Sequence, residues 1–278
     1  MTSPAPSSMA RSTQVLSIKM SAKRLPPATI AAVNRAVQGL LGFDRFNEIY
    51  SRLPPCEPYD FSRTFLEAMQ VRVEWTGQPI ETIPTAGPLI TIANHPFGLI
   101  EGMALGALLG SRRPDVTTMA THLLAGIPEY RDLILVDPER KGRRRMQNVR
   151  GWLRSFEWLA KGGALTLFPA GRVARFQWRR GSIADEPWSA HVAMLARRSQ
   201  APVLPVYFHG HNGFAFQLAG MLYPPLQELL LVGEVVNKRG RTLHATIGRL
   251  IEPSELSAFA TNQKAIDFLR QETERLAR

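Results

Sequence analysis

The chain has 278 residues, 45% of them hydrophobic and 21% charged, the balance of a globular protein with a substantial core. A single cysteine, Cys56, excludes an intrachain disulfide and fits a reducing compartment, and no stretch reaches the roughly 18 apolar residues of a membrane-spanning helix. A net charge of +11 asks for a partner: an anionic lipid surface, a nucleic acid or an acidic protein.

Residues 1–26 are rich in Ser, Pro and basic groups and poor in large apolar ones, which predicts a disordered basic tail. They lack the apolar core of a secretory signal; an acid-free stretch with Arg and Ser is compatible with a transit peptide. Over 27–70 the pattern is helical. Ile30, Val33, Val37, Leu40 and Leu41 recur as one stripe, and "DFSRTFLEAMQ" reads as a second short helix. This helical lead-in either packs on the core or rests on a membrane.

From 71 to 278 strands and helices alternate. "PLITIAN" is of buried-strand type and is followed by helical "EGMALGALLGSRR". "VTTMAT" and "LILVD" are further strands, and "MQNVRGWLRSFEWLAKGG" is a helix stopped by Gly162 and Gly163. "ALTLFPAG" is a strand, "SAHVAMLARRSQ" a helix and "VLPVYFHG" a strand. "ELLLVGEVV" and "LHATIGRLI" read as a closing pair of strands, and the final helix carries Ile266, Leu269, Thr273 and Leu276 on one face. Such alternation predicts an α/β fold, a mostly parallel sheet covered by helices on both faces, preceded by the helical lead-in. Ligands of such sheets gather at the carboxyl ends of strands.

Two unusual segments fall at such ends. In "NHPFGLIEG", His95 follows a strand and Glu101 lies six residues on, past Gly98. One reading is a plain strand-to-helix turn whose carboxylate favours the helix dipole; the other is a general base held by an orienting acid. In "FPAGRVAR", Gly171 allows close approach to the backbone, and Arg172 and Arg175 can hold a carboxylate or phosphate, or can simply be solvated. Arg140 in "DPER" has the same two readings. Basic residues concentrate between Arg140 and Arg154 and again over 172–180, interleaved with Trp152, Trp158 and Trp178. That mixture suits a membrane interface or single-stranded nucleic acid. "HGHNG" lacks a third metal ligand at useful spacing and reads as a turn; His122, His191 and His244 read as structural. Nucleophile-elbow, Walker, zincin and dinucleotide patterns are absent from the sequence.

Four blocks in order, "NHPFGLIEG", "IPEYRDLILVDPER", "LTLFPAGRVAR" with "DEPW", and "APVLPVYFHGHNG", resemble the glycerophospholipid and lysophospholipid acyltransferase superfamily, and within it the hemolysin-like bacterial branch. The resemblance implies that His95 deprotonates an acceptor hydroxyl, that Glu101 orients His95, and that Asn94, Arg140, Gly171, Arg172 and Arg175 line the substrate site. It implies an acyl thioester of acyl carrier protein or coenzyme A as co-substrate, a lyso-lipid acceptor, and neither cofactor nor metal. It also implies peripheral attachment to the inner face of the cytoplasmic membrane, with an anionic leaflet and acyl carrier protein as partners and no nucleic acid. The sequence departs from the broad pattern in placing Glu101 six rather than five residues after His95, and in Ala170 and Arg172 where Glu and Thr are usual. Those changes point to an acceptor other than simple glycerol phosphate, and they keep open a non-catalytic lipid- or membrane-binding protein on the same scaffold.

Overall fold

The computed structural model describes residues 15–17, 27–130, 132–136, 145–178, 180–222 and 224–278. Arg140 and most of the tail expected to be disordered lie outside the described residues.

Helices α1 (Pro27–Leu40), α2 (Phe43–Ser51) and α3 (Phe61–Ala68) precede strand β1 (Arg72–Gly77). Strand β2 (Leu89–Ala93) leads into α4 (Ile100–Gly110), and β3 (Val116–Ala120) is followed by the short β4 (Ile134–Leu135). Then come α5 (Arg145–Ala160), β5 (Ala164–Leu167), a hairpin of β6 (Arg175–Gln177) and β7 (Ser182–Ala184), α6 (Ala190–Ser199) and β8 (Val203–Phe208). The chain closes with α7 (Phe214–Leu222), α8 (Pro224–Val236), β9 (Thr242–Ile247), α9 (Pro253–Ser257) and α10 (Asn262–Arg275).

The main sheet has seven strands in the order β1-β9-β8-β2-β5-β3-β4. All neighbours are parallel except β8 and β9, so β1 and β9 run against the other five. Side chains alternate across the sheet as a strand period of two requires. Leu89 and Ala93 of β2 point into a core built with α2, α3, α4 and α8, including Phe46, Phe65, Met103 and Val232. Ile90 and Ile92 point the other way, to Leu159, Leu195, Ile266 and Leu269 of α5, α6 and α10. Because both faces are covered, β2 is an unbroken apolar run and all five of its residues are buried.

The lead-in divides. Phe43, Phe46, Tyr50, Phe61 and Phe65 of α2 and α3 belong to the main core. Helix α1 lies largely open: Leu40 is 87% exposed, and only Leu41, just past its end, is buried.

Two sequence expectations need correction. Residues 228–236, read as a strand, are the body of helix α8. The run is apolar enough to fit either period, but the buried Val232 and Val235 lie one helical turn apart and Pro224 occupies the first turn, where its missing N–H costs nothing. The partners of β9 are instead β8 and β1. Strand β1 was not among the expected strands, although Val71, Val73 and Trp75 alternate with Arg72, Glu74 and Thr76.

Candidate active site

Strand β2 delivers His95 to the carboxyl edge of the sheet, and the chain then reverses at Gly98, whose φ of 101° is open chiefly to glycine. A side chain there would also collide, since an added Cβ would lie 2.4 Å from Cδ2 of Leu231 on α8. The reversal brings Glu101, in the first turn of α4, back under the bend. Its Oε1 accepts from the N–H groups of Phe97 (3.0 Å) and Gly98 (2.7 Å), and Nδ1 of His95 lies 2.9 Å from the same oxygen. Glu101 is fully buried. The imidazole–carboxylate contact is close but not linear, and Nδ1 and Oε2 have no aligned hydrogen bond. Such contacts often tighten only once substrate is bound. One buried carboxylate in the first turn of α4 thus braces the bend and faces the ring.

The third-block loop closes over the ring. Phe168, the first residue after β5, stacks on His95 with centroids 4.1 Å apart and planes at 22°. Gly171 takes a φ of 67° in the turn that follows. His95, Gly171, Arg172 and Arg175 share one cavity of about 520 Å³. Arg175 is ion-paired with Glu186. Elsewhere the wall is mainly apolar, with Leu99, Met103, Met119, Leu124 and Leu133 among its residues. Tyr130 also lines it; its hydroxyl is 3.0 Å from Oγ of Ser62, and burial pushes the phenol up to about 12. A cavity with arginines on part of its wall and apolar side chains on most of the rest suits a molecule with a polar head and a hydrocarbon chain.

A family model described as "Acyltransferase" matches residues 20–278. The chain belongs to this acyltransferase family. Proteins named lyso-glycine lipid O-acyltransferase from Phocaeicola vulgatus and Bacteroides thetaiotaomicron are each 27% identical over 204 residues, which is 69% of this chain and 68% and 70% of theirs. The crystal structure of the 1-acyl-sn-glycerophosphate acyltransferase PlsC from Thermotoga maritima matches at 18% identity with a TM-score of 0.48, covering 86% of this chain and 82% of that one.

Within the acyltransferase, Asn94 sits beside the site rather than in its wall. Its amide donates to Phe208 O (2.9 Å) and accepts from Phe208 N–H (2.7 Å), clasping the end of β2 to β8. The clasp falls one residue before His95. Arg140 falls outside the described residues.

Three contributors were missed in the sequence. Asp185, noted there only as part of "DEPW", is buried; its Oδ1 accepts from the backbone N–H of His95 (3.1 Å) and its Oδ2 from the Trp188 indole (3.0 Å). Burial pushes its carboxyl above the ordinary range, against the pull of those two donors. With Ala174 N–H bonded to His95 O at 2.7 Å, the histidine's own peptide groups are held from both sides. The second contributor is Asn212 of "HGHNG", which donates to Phe97 O (2.8 Å) and accepts from the buried Lys238 (2.9 Å), itself 3.0 Å from Glu234. The third is His191, read as structural. It lies on the cavity wall with its ring 5.6 Å from that of Trp152 and Nδ1 3.2 Å from Oγ of Ser189. Of the other histidines, His209 meets Thr246 Oγ1 at 2.9 Å and His244 meets Glu74 at 3.2 Å, both away from the cavity. No group of three or more metal-binding side chains forms among the described residues.

Proposed function

We propose that the chain moves a fatty acyl group from a thioester of acyl carrier protein or coenzyme A to the hydroxyl of a lyso-lipid, with His95 as general base. The observation that carries this reading is the contact between His95 Nδ1 and the buried Glu101, at the wall of a cavity lined by both arginines and apolar side chains. With Nδ1 facing the carboxylate, Nε2 is the nitrogen that takes the hydroxyl proton. The acceptor oxygen attacks the thioester carbonyl, the tetrahedral adduct expels the thiolate, and the proton on Nε2 returns to that sulfur as thiol. Glu101 stabilises the imidazolium while it lasts. The apolar pocket holds hydrocarbon, and Arg172 and Arg175 hold an anionic headgroup or the phosphates of the donor.

The relatives' names support a lyso-lipid acceptor and O-acyl transfer, and Ala170 and Arg172 in the third block favour a headgroup other than glycerol phosphate. In this reading the protein works peripherally on the inner face of the cytoplasmic membrane. The test is purified protein with a labelled acyl thioester and a panel of lyso-lipids, among them lyso-glycine lipid and lysophosphatidic acid. Transfer is expected to an amino-acid-headed lyso-lipid and to fall by at least ~10²-fold in His95→Ala, the lower end of what a general base contributes. Undiminished transfer in that variant would remove His95 from the mechanism.

A further inference from the structure

Helix α7 is built inside out. Its one polar side chain, Gln217, is buried, where it accepts from Phe176 N–H (3.0 Å) and donates to Ala174 O (3.4 Å), tying the helix to β6. Its exposed residues are Phe214, Ala215, Leu218, Met221 and Leu222, with Phe214 82% and Leu222 75% exposed. A helix on a water-facing surface points polar residues outward. Here residues 199–227 contain no Lys, Arg, Asp or Glu, in a chain that is 21% charged.

Helix α7 packs beside the cavity wall. Leu229 of α8 is both exposed and part of the cavity wall. Gln227, also in the wall, is packed so closely on α7 that a methyl group on Gly220 would meet it at 2.7 Å. Beyond Gln217, the β6–β7 hairpin presents Trp178, 76% exposed and edge-on to Phe176 at 5.3 Å, with Arg180 exposed two residues on. An apolar face bordered by an exposed tryptophan and an arginine matches the layering of a bilayer, where aromatic rings and cations sit at headgroup level.

We propose that the outer face of α7, with Leu229 and Trp178, is the surface by which the protein seats itself in a lipid bilayer, α7 lying in the interfacial acyl region. The inference rests on the acyl-transfer reading for its choice of occupant. A second copy of the chain on α7 would cover Leu229 and shut the cavity mouth, and an acidic protein would need charges that this face lacks. A bilayer also covers Leu229, but it needs no charge from this face and brings lipid chains to the cavity.

The test compares wild type with Phe214→Ser/Leu222→Ser by flotation with phosphatidylcholine–phosphatidylglycerol vesicles, at salt high enough to screen the headgroups. Transfer to a short-chain lyso-lipid that is monomeric in water is measured in parallel. Both substituted side chains are exposed, so the fold and transfer to the soluble acceptor are expected to be unchanged. The vesicle-bound fraction is expected to drop at least about tenfold, because apolar surface no longer leaves water on docking. As a second measurement, brominated lipid should quench the fluorescence component that Trp178→Phe removes. Equal flotation of the two proteins, no flotation of wild type, or unquenched Trp178 would each overturn the proposal. Loss of a dimer with flotation unchanged would reassign the face to self-association. Wild type that floats through α7 yet acylates nothing would leave the docking surface standing and sink the acyl-transfer reading instead.

Discussion

Glu101 has two separable duties, and two substitutions divide them. In Glu101→Gln the amide oxygen still accepts from the Phe97 and Gly98 N–H groups, so the bend survives, and only the negative charge facing His95 is lost. Turnover is expected to fall ~10²- to 10⁴-fold, the range for impairing an acid–base group, with a melting temperature close to wild type. Glu101→Ala also leaves two buried N–H groups without an acceptor, at about 1–3 kcal/mol each, and should melt clearly lower. Equal melting of the two variants would mean the carboxylate does not brace the turn. Asp185 supports a pH prediction. Burial raises its folded-state value above that of the unfolded chain, so below the ordinary carboxylate range its contribution to stability is fully present, and it is lost as pH rises through the raised value. Replacing Asp185 with Asn should flatten the dependence of the urea midpoint on pH in that acidic window; an unchanged slope would show that Asp185 does not titrate there. His95, Glu101 and the 171–175 loop were legible because each motif is local and follows a strand. Asp185 was not, because the bond that gives it meaning spans 90 positions and no short motif encodes it.

Elements of this fold show where periodicity fails as a guide. The stretch 228–236 satisfies a buried strand and a buried helix alike, and what decides between them is distant: β9 already pairs with β8 and β1, leaving the run to cover the sheet. The helix form has a consequence at the site, because Leu231 of α8 packs directly over the Gly98 bend. Gly98→Ala combines an unfavourable φ of 101° with a Cβ 2.4 Å from Leu231 and 3.0 Å from Val173. A loss of about 1–3 kcal/mol of stability is expected, from backbone strain and overpacking together. Adding Leu231→Ala should relieve the collision and leave the strain, so the double variant should be more stable than the sum of the two single losses. Strict additivity, measured by urea denaturation, would mean α8 is free to move away from the bend. Strand β1 carries a legible alternation, whereas the three-residue strands β6 and β7 are too short to carry a period.

At the scale of the whole molecule, the docking proposed above draws on charge and apolar surface over different distances. The net charge of +11 attracts an anionic leaflet from beyond contact, at about 1 kcal/mol for each basic residue near the surface. That attraction shortens from a reach of ~10 Å at 0.1 M salt to ~3 Å at 1 M. Insertion of an apolar helix acts only at contact and is not screened. No helix among the described residues is long and apolar enough to cross a membrane. Affinity for anionic vesicles should therefore fall steadily with salt and then level off, converging on the value for neutral phosphatidylcholine vesicles. Titration of vesicle binding by wild type and His95→Ala at several salt concentrations checks this, and the two curves should superimpose because His95 lies in the cavity wall and not on the docking face. A salt-independent curve would remove the basic surface from docking. A curve that falls to complete release would instead make charge the sole anchor and leave the exposed apolar face of α7 without a role in attachment.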